Sequence, residues 1–323
     1  MNLYPLDAVE EDQPIQETDY PSPRPPEPPR SRRRQAPEPP QRRSGGGLSK
    51  LALAVSVLAL ALAGIALFRT LEPKEAEEPP APPEPVTFQF GDRTMTPLEG
   101  MPLNPYDREA FFLDDRGRVA YEKGGKAGVD VSTYQKEVDW PAVAADGIDF
   151  AILRLGYRGY TEGGLFLDQT FEQNLRGALD AGLEVGVYFF SQAVTPEEAR
   201  EEARYILDAV EGYEIAYPIA FDWEPIAPGN DARTDGLDND VLTQCASAFC
   251  EEIRSAGYTP AVYFNQSLGY LHYDLRELDE YVLWLAEYDT KPDFYYHFDL
   301  WQYTHTGQVA GIEGNVDLNL DLR

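Results

Sequence analysis

From Gly128 to Arg323 the apolar residues switch repeatedly between the two-residue period of strands and the 3.6-residue period of helices. Strand signals at 129–131, 150–155, 185–190, 218–223 and 261–264 alternate with helix signals near 140–146, 168–181, 195–210 and 240–256. The second helix has Phe171, Leu175 and Leu179 on one face and Gly182 as its stop, and the third opens on a Thr195-Pro196 cap. Beyond 264 the helices fade, leaving strand-like runs at 281–285, 300–303 and 316–320. Repeated βα units predict a parallel sheet with right-handed crossovers, and about eight strands predict closure into a TIM-like β/α barrel. The last three strands lack substantial helices, so the predicted barrel is irregular.

The rest of the chain is sharply segmented. Residues 1–50 hold eleven of the 27 prolines together with Arg32-Arg33-Arg34 and Arg42-Arg43, and read as a disordered tail. Residues 51–68 (LALAVSVLALALAGIALF) carry no charge and as a helix span about 27 Å, close to a bilayer core. A cleaved signal peptide would place its apolar stretch near the start, so an uncleaved single-pass anchor is expected. Eight basic and two acidic residues lie between Arg24 and Lys50, against Glu72, Glu75, Glu77 and Glu78 beyond the apolar run. That asymmetry predicts a cytoplasmic amino terminus and an extracellular remainder. Residues 69–86, acidic and rich in proline, read as an extended stalk. PxxP-like stretches at Pro23 to Pro29 suit either a spacer or an unidentified cytoplasmic partner, the spacer being favoured. Residues 87–126 form a small β-rich module with a hairpin expected across Asp114-Asp115-Arg116-Gly117, and 127–323 form the barrel domain.

The formal charge of −29 repels phosphate backbones and excludes nucleic acid as a partner. Two cysteines, three histidines and no CxxC or HExxH spacing leave no metal site to assign. Cys245 and Cys250 fall five apart on one helix, about 140° round its axis, where no disulfide can form. Chemistry must come from carboxylates and aromatics. Asp130 ends the first strand, Asp222-Trp223-Glu224 ends the fourth, and Asp317 lies in the last. Side chains two apart on a strand share a face, so Asp222 and Glu224 project together, and two neighbouring carboxylates in a desolvated pocket push one pKa up. A retained proton beside a carboxylate is what glycosidic cleavage requires. Tyr188, Tyr263, Trp284 and Trp301 fall in or at the ends of strands, as core or as walls for sugar rings, and Gln302 adds an amide for a hydroxyl or acetamido group. Arg154, ending the second strand, is expected to orient a carboxylate more than to touch substrate.

Taken in order, Gly128-Val129-Asp130-Val131-Ser132 with Gln135, Asp139-Trp140, Ile152-Leu153-Arg154, Gly186-Val187-Tyr188-Phe189-Phe190, Asp222-Trp223-Glu224, Leu283-Trp284-Leu285-Ala286, Leu300-Trp301-Gln302-Tyr303 and Val316-Asp317-Leu318-Asn319 resemble glycoside hydrolase family 25 from about residue 128 onward. The resemblance implies five βα units followed by three β-strands. It also implies cofactor-free lysozyme chemistry on the β-1,4 bond between N-acetylmuramic acid and N-acetylglucosamine of peptidoglycan. It further implies that Glu224 is the proton donor, that Asp222 orients the substrate acetamido group, and that Asp130 and Asp317 complete the acidic cleft. The anchor, stalk and 87–126 module lie outside the resemblance. An inactive peptidoglycan-binding scaffold and a glycosidase for another acetamido polysaccharide such as chitin remain alternatives.

Overall fold

The computed structural model describes residues 86–227 and 230–323. The predicted tail, apolar segment and stalk lie outside the described residues apart from Val86. Among the described residues no helix is long and apolar enough to cross a membrane. The described residues divide into two compact units, 86–94 and 95–323. β1 (Phe88–Phe90) pairs with β2 (Arg93–Met95) in a two-stranded sheet turned at Gly91, whose φ of 57° suits glycine.

In the second unit, eight strands among the described residues close a barrel: β5 (Lys126–Val131), β6 (Phe150–Arg158), β8 (Glu184–Ser191), β9 (Ile219–Trp223), β10 (Pro260–Asn265), β11 (Val282–Ala286), β12 (Leu300–Gly307) and β13 (Val316–Asp321). Between them run α1 (Trp140–Ala145), α2 (Phe171–Asp180), α3 (Pro196–Ala209), α4 (Asn239–Ser255) and the short α5 (Gln266–Leu271). Five strand–helix units are thus followed by three strands. The capping signals act as their chemistry dictates: the Thr195 side chain accepts from Glu198 N, and Gly182 leaves α2 at φ 82°. Cys245 and Cys250 are free and buried on α4, which packs on α3.

Pairing is parallel from β5 through β6, β8, β9, β10 and β11 to β12. One departure from the predicted parallel sheet decides where the site lies. β13 runs antiparallel to both β12 and β5, because the connection 308–315 is too short for a parallel crossover. The start of β13 therefore sits at the barrel end where the other strands finish, and Asp317 pairs with Asp130. A strand not foreseen, β7 (Leu165–Leu167), folds back antiparallel on the end of β6.

Alternate residues fill the barrel interior. Phe150, Ile152, Ala220, Ala261, Tyr263, Trp284 and Leu300 form one buried cluster, with Phe150 and Tyr217 stacked at 4.2 Å. Gly128 permits this floor: a Cβ there would lie 2.2 Å from the Phe150 ring. Outside the barrel, the expected hairpin is present as β3 (Phe111–Leu113) and β4 (Val119–Tyr121), its turn capped by Asp114 accepting from Arg116 N and Arg118 N. The segment before it is strapped to the approach to β12. Leu98 N donates to the Tyr296 hydroxyl (2.8 Å), Asn104 Nδ2 to the Phe294 carbonyl (2.9 Å), and the Tyr106 hydroxyl to the Phe298 carbonyl (2.6 Å).

Candidate active site

The carboxyl ends of the parallel strands gather the acidic residues. Asp222 and Glu224 follow the pleat of β9 onto one face, Asp222 buried and Glu224, just past the strand end, partly open. Asp222 Oδ1 is buried and has no hydrogen-bond partner among the described residues. Burial pushes the Asp222 carboxyl well above the usual carboxylate range; the charges of Glu224 and Asp130 push the same way, and Arg154 opposes them.

This has a stability consequence of definite sign. A carboxyl whose pKa is raised by folding contributes stability that is complete below the ordinary value of 3.8 and is lost as pH climbs through the folded value. Asp222→Asn carries no charge to bury. It is expected to raise Tm at neutral pH, on a scale of about 2–4 °C per kcal/mol relieved, with the advantage vanishing toward pH 4 or below. Thermal melts of both proteins across that range check this, and a pH-independent difference would contradict it.

Asp130 is held by neutral donors. Its Oδ2 accepts from Gln302 Nε2 (2.9 Å) and Asn319 Nδ2 (2.8 Å). Gln302 Oε1 in turn accepts from the Tyr263 hydroxyl (2.9 Å) and the Tyr288 hydroxyl (3.0 Å), while Asn319 Oδ1 accepts from Trp284 Nε1 (2.8 Å). Burial first, and nearby charges after it, raise the Tyr263 and Tyr288 phenols, keeping both as neutral donors. Both ends of the Gln302 amide are thus engaged by protein. Tyr188 lies half-buried on the inward face, its phenol raised by burial and by Asp130, Asp222 and Asp317, against the lowering effect of Arg154. Asp317 is half-buried opposite Asp130.

The predicted aromatics separate into three positions. Tyr188 and Tyr263 face the acidic group, and Trp284, 2% exposed, lies beneath it, edge-on to Tyr263 at 4.8 Å. Trp301 is not brought to the site. It neighbours Gln302 on β12 and so faces the opposite side, where it is fully buried against Phe111 of β3 at 5.3 Å, with Nε1 donating to the Glu287 carbonyl. Arg154 pairs with Asp168 Oδ2 through Nε (2.8 Å) and Nη2 (2.7 Å). Its guanidinium lies over Tyr134 at 5.1 Å and Tyr157 at 5.9 Å. The carboxylate it orients is this structural one, which also accepts from Thr133 N and Thr170.

Sequence reasoning assigns no role to Tyr288, Asp168 or Tyr134, and names Asn319 only within a motif of the resemblance. Asn319 carried a usable signal, being two residues beyond Asp317 on one strand and so on its face. Asp168-x-Thr170 at a helix start is a capping pattern. Tyr288 and Tyr134 sit in connections with no periodicity to place them.

An eight-stranded β/α barrel with carboxylates and tyrosines converging at one mouth defines a protein built for polar chemistry on a ligand that aromatic rings can stack against. The sequence profile of the glycosyl hydrolases family 25 matches residues 129–312, more than half of the chain, and the protein belongs to that family. Lysozyme M1 of Streptomyces globisporus is 27% identical over 81% of this chain and 89% of its own. The autolytic lysozyme of Clostridium acetobutylicum is 28% identical over 59% of this chain. Among solved structures, the modular autolysin LytC of Streptococcus pneumoniae in complex with a synthetic peptidoglycan ligand is 25% identical, with a TM-score of 0.54 over 68% of this chain. The matches span 54% of the Clostridium relative and 52% of the pneumococcal one.

Proposed function

We propose that this protein is a lysozyme that hydrolyses the β-1,4 bond between N-acetylmuramic acid and N-acetylglucosamine in peptidoglycan. The observation that carries the reading is the unequal depth of the two β9 carboxyls. Glu224 stands at the open mouth, where a polymer's glycosidic oxygen arrives, and Asp222 lies buried below it. The Glu224 carboxyl gives its proton to the leaving oxygen as the bond to the muramic anomeric carbon breaks. Asp222 orients the acetamido group beside the developing positive charge, and Asp130 and Asp317 supply negative potential around it. Water then adds to the anomeric carbon and returns a proton to Glu224. Tyr188 offers its ring to the sugar, and Gln302, held by Tyr263, serves by holding Asp130. Membership of the family and its lysozyme relatives support this substrate.

The 127–323 domain acts, in this reading, from the outer face of a bacterial membrane, tethered by residues 51–68. Support comes from the uncharged run and the basic-to-acidic asymmetry across it. Confinement near the wall supplies the effective concentration that an acidic domain, with 36 acidic and 11 basic residues after position 127, does not gain by charge attraction to anionic wall polymers.

The test is digestion of purified peptidoglycan by the full-length protein, with mass spectrometry of the fragments after borohydride reduction. Reduced muramic acid ends are the expected result. Reduced glucosamine ends would make the protein a glucosaminidase, cleavage of chitin alone would change the substrate, and no cleavage of either would leave a binding scaffold.

A further inference from the structure

Gln192, the residue after β8, is a fully buried polar side chain that the chemistry above does not use. Its Nε2 donates to the backbone carbonyl of Glu224 at 3.0 Å and to that of Ser191 at 2.9 Å. Its Oε1 accepts from the Thr234 hydroxyl at 2.7 Å, which fixes which way the amide faces. Its own carbonyl accepts from Arg233 Nη1 at 3.0 Å, and the same guanidinium forks onto both oxygens of Glu198 at 2.9 and 2.7 Å. Gln192 is thus gripped from the loop after β9 and, through that loop, from α3.

The contact with Glu224 falls where control of its direction is needed. β9 ends at Trp223, so the Glu224 backbone is no longer held by a strand ladder. Pro225 confines Glu224 to extended geometry from one side. The Gln192 amide holds its carbonyl from the other. A carboxyl carried on a long side chain from that backbone moves with it, and a misplacement of about 1 Å costs roughly 10²-fold in rate.

We propose that Gln192, oriented by Thr234, is a positioning residue for proton transfer: it clamps the Glu224 carbonyl and so aims the Glu224 carboxyl at the leaving oxygen. This rests on the reading of Glu224 as the proton donor. The clamp matters only when a leaving group needs a proton. A sugar alcohol leaves as a strong base and requires one, whereas a dinitrophenolate leaves unassisted.

The experiment compares two substrates with the same N-acetylglucosamine–N-acetylmuramic acid chain, one ending in a further sugar and one in a 2,4-dinitrophenyl group. Gln192→Met keeps the size of the side chain and removes the amide. It is expected to lower kcat on the sugar-linked substrate about 10–100-fold, with KM within about twofold and the dinitrophenyl substrate turned over within about threefold of the parent rate. Thr234→Val, which leaves Gln192 in place without its orienting hydroxyl, is expected to show the same split at smaller size. Thr234→Ser, which restores the hydroxyl, is expected to recover the parent values. Should Gln192→Met not fold, the Thr234 pair decides alone. Equal losses on both substrates, a loss confined to KM, or parent activity in a folded variant would each overturn the proposal. Failure of the underlying reading has a different signature, since Glu224→Gln would then spare the sugar-linked substrate.

Discussion

Glu224→Gln is expected to leave the barrel folded and to lower turnover of peptidoglycan by about 10²–10⁴-fold, the range general acid catalysis contributes. The substitution keeps shape and volume and removes the transferable proton. The side chain is partly open at the mouth, and its backbone carbonyl, the group Gln192 grips, is untouched. Tm therefore stays near that of the parent, which separates a chemical loss from a structural one. Initial rates of fragment release, with thermal melts of the same preparations, make the measurement. A folded variant releasing fragments at close to the parent rate would remove Glu224 from the chemistry.

Trp301→Ala is expected to act in the opposite way, costing about 3–5 kcal/mol of stability while leaving KM unchanged in whatever fraction remains folded. The indole is fully buried, packs edge-on against Phe111 and lies 5.7 Å from Tyr303, and its Nε1 donates to the Glu287 carbonyl at 2.8 Å. Truncation opens a cavity between β12 and the β3–β4 hairpin and removes one of two donors to the Glu287 carbonyl, which also accepts from Asp289 N at 3.0 Å. Denaturant titration monitored by circular dichroism gives the loss. A stable variant with raised KM would place the indole against substrate instead.

These two residues mark the difference between what was legible and what was not. The Asp222–Glu224 pair could be read because it depends on one local rule, that residues two apart on a strand share a face. By the same rule Trp301 and Tyr303 share a face that Gln302 does not, so the three could not all line a cleft. Which of the two faces is inward depends on how the barrel closes. The Phe111–Trp301 contact brings together residues far apart in the chain, and no periodicity announces it. Arg154 pairs with a carboxylate, but that partner, Asp168, lies on the connection that follows β6 and β7 rather than among the predicted acids.

The sequence by itself determined the alternation of strands and helices, the first four βα units, the loss of helices toward the end, and the acidic residues available for chemistry. Each of these is written in neighbouring residues through side-chain period, capping and turn preference. Only the tertiary structure decided that β13 runs antiparallel and so presents Asp317 beside Asp130, and that Gln302, 172 residues away, spends its amide on Asp130. It also decided that Gln192 reaches the carbonyl of Glu224. Those partners meet because a ring of eight strands closes, and closure is a property of the whole sheet that no single stretch of it encodes.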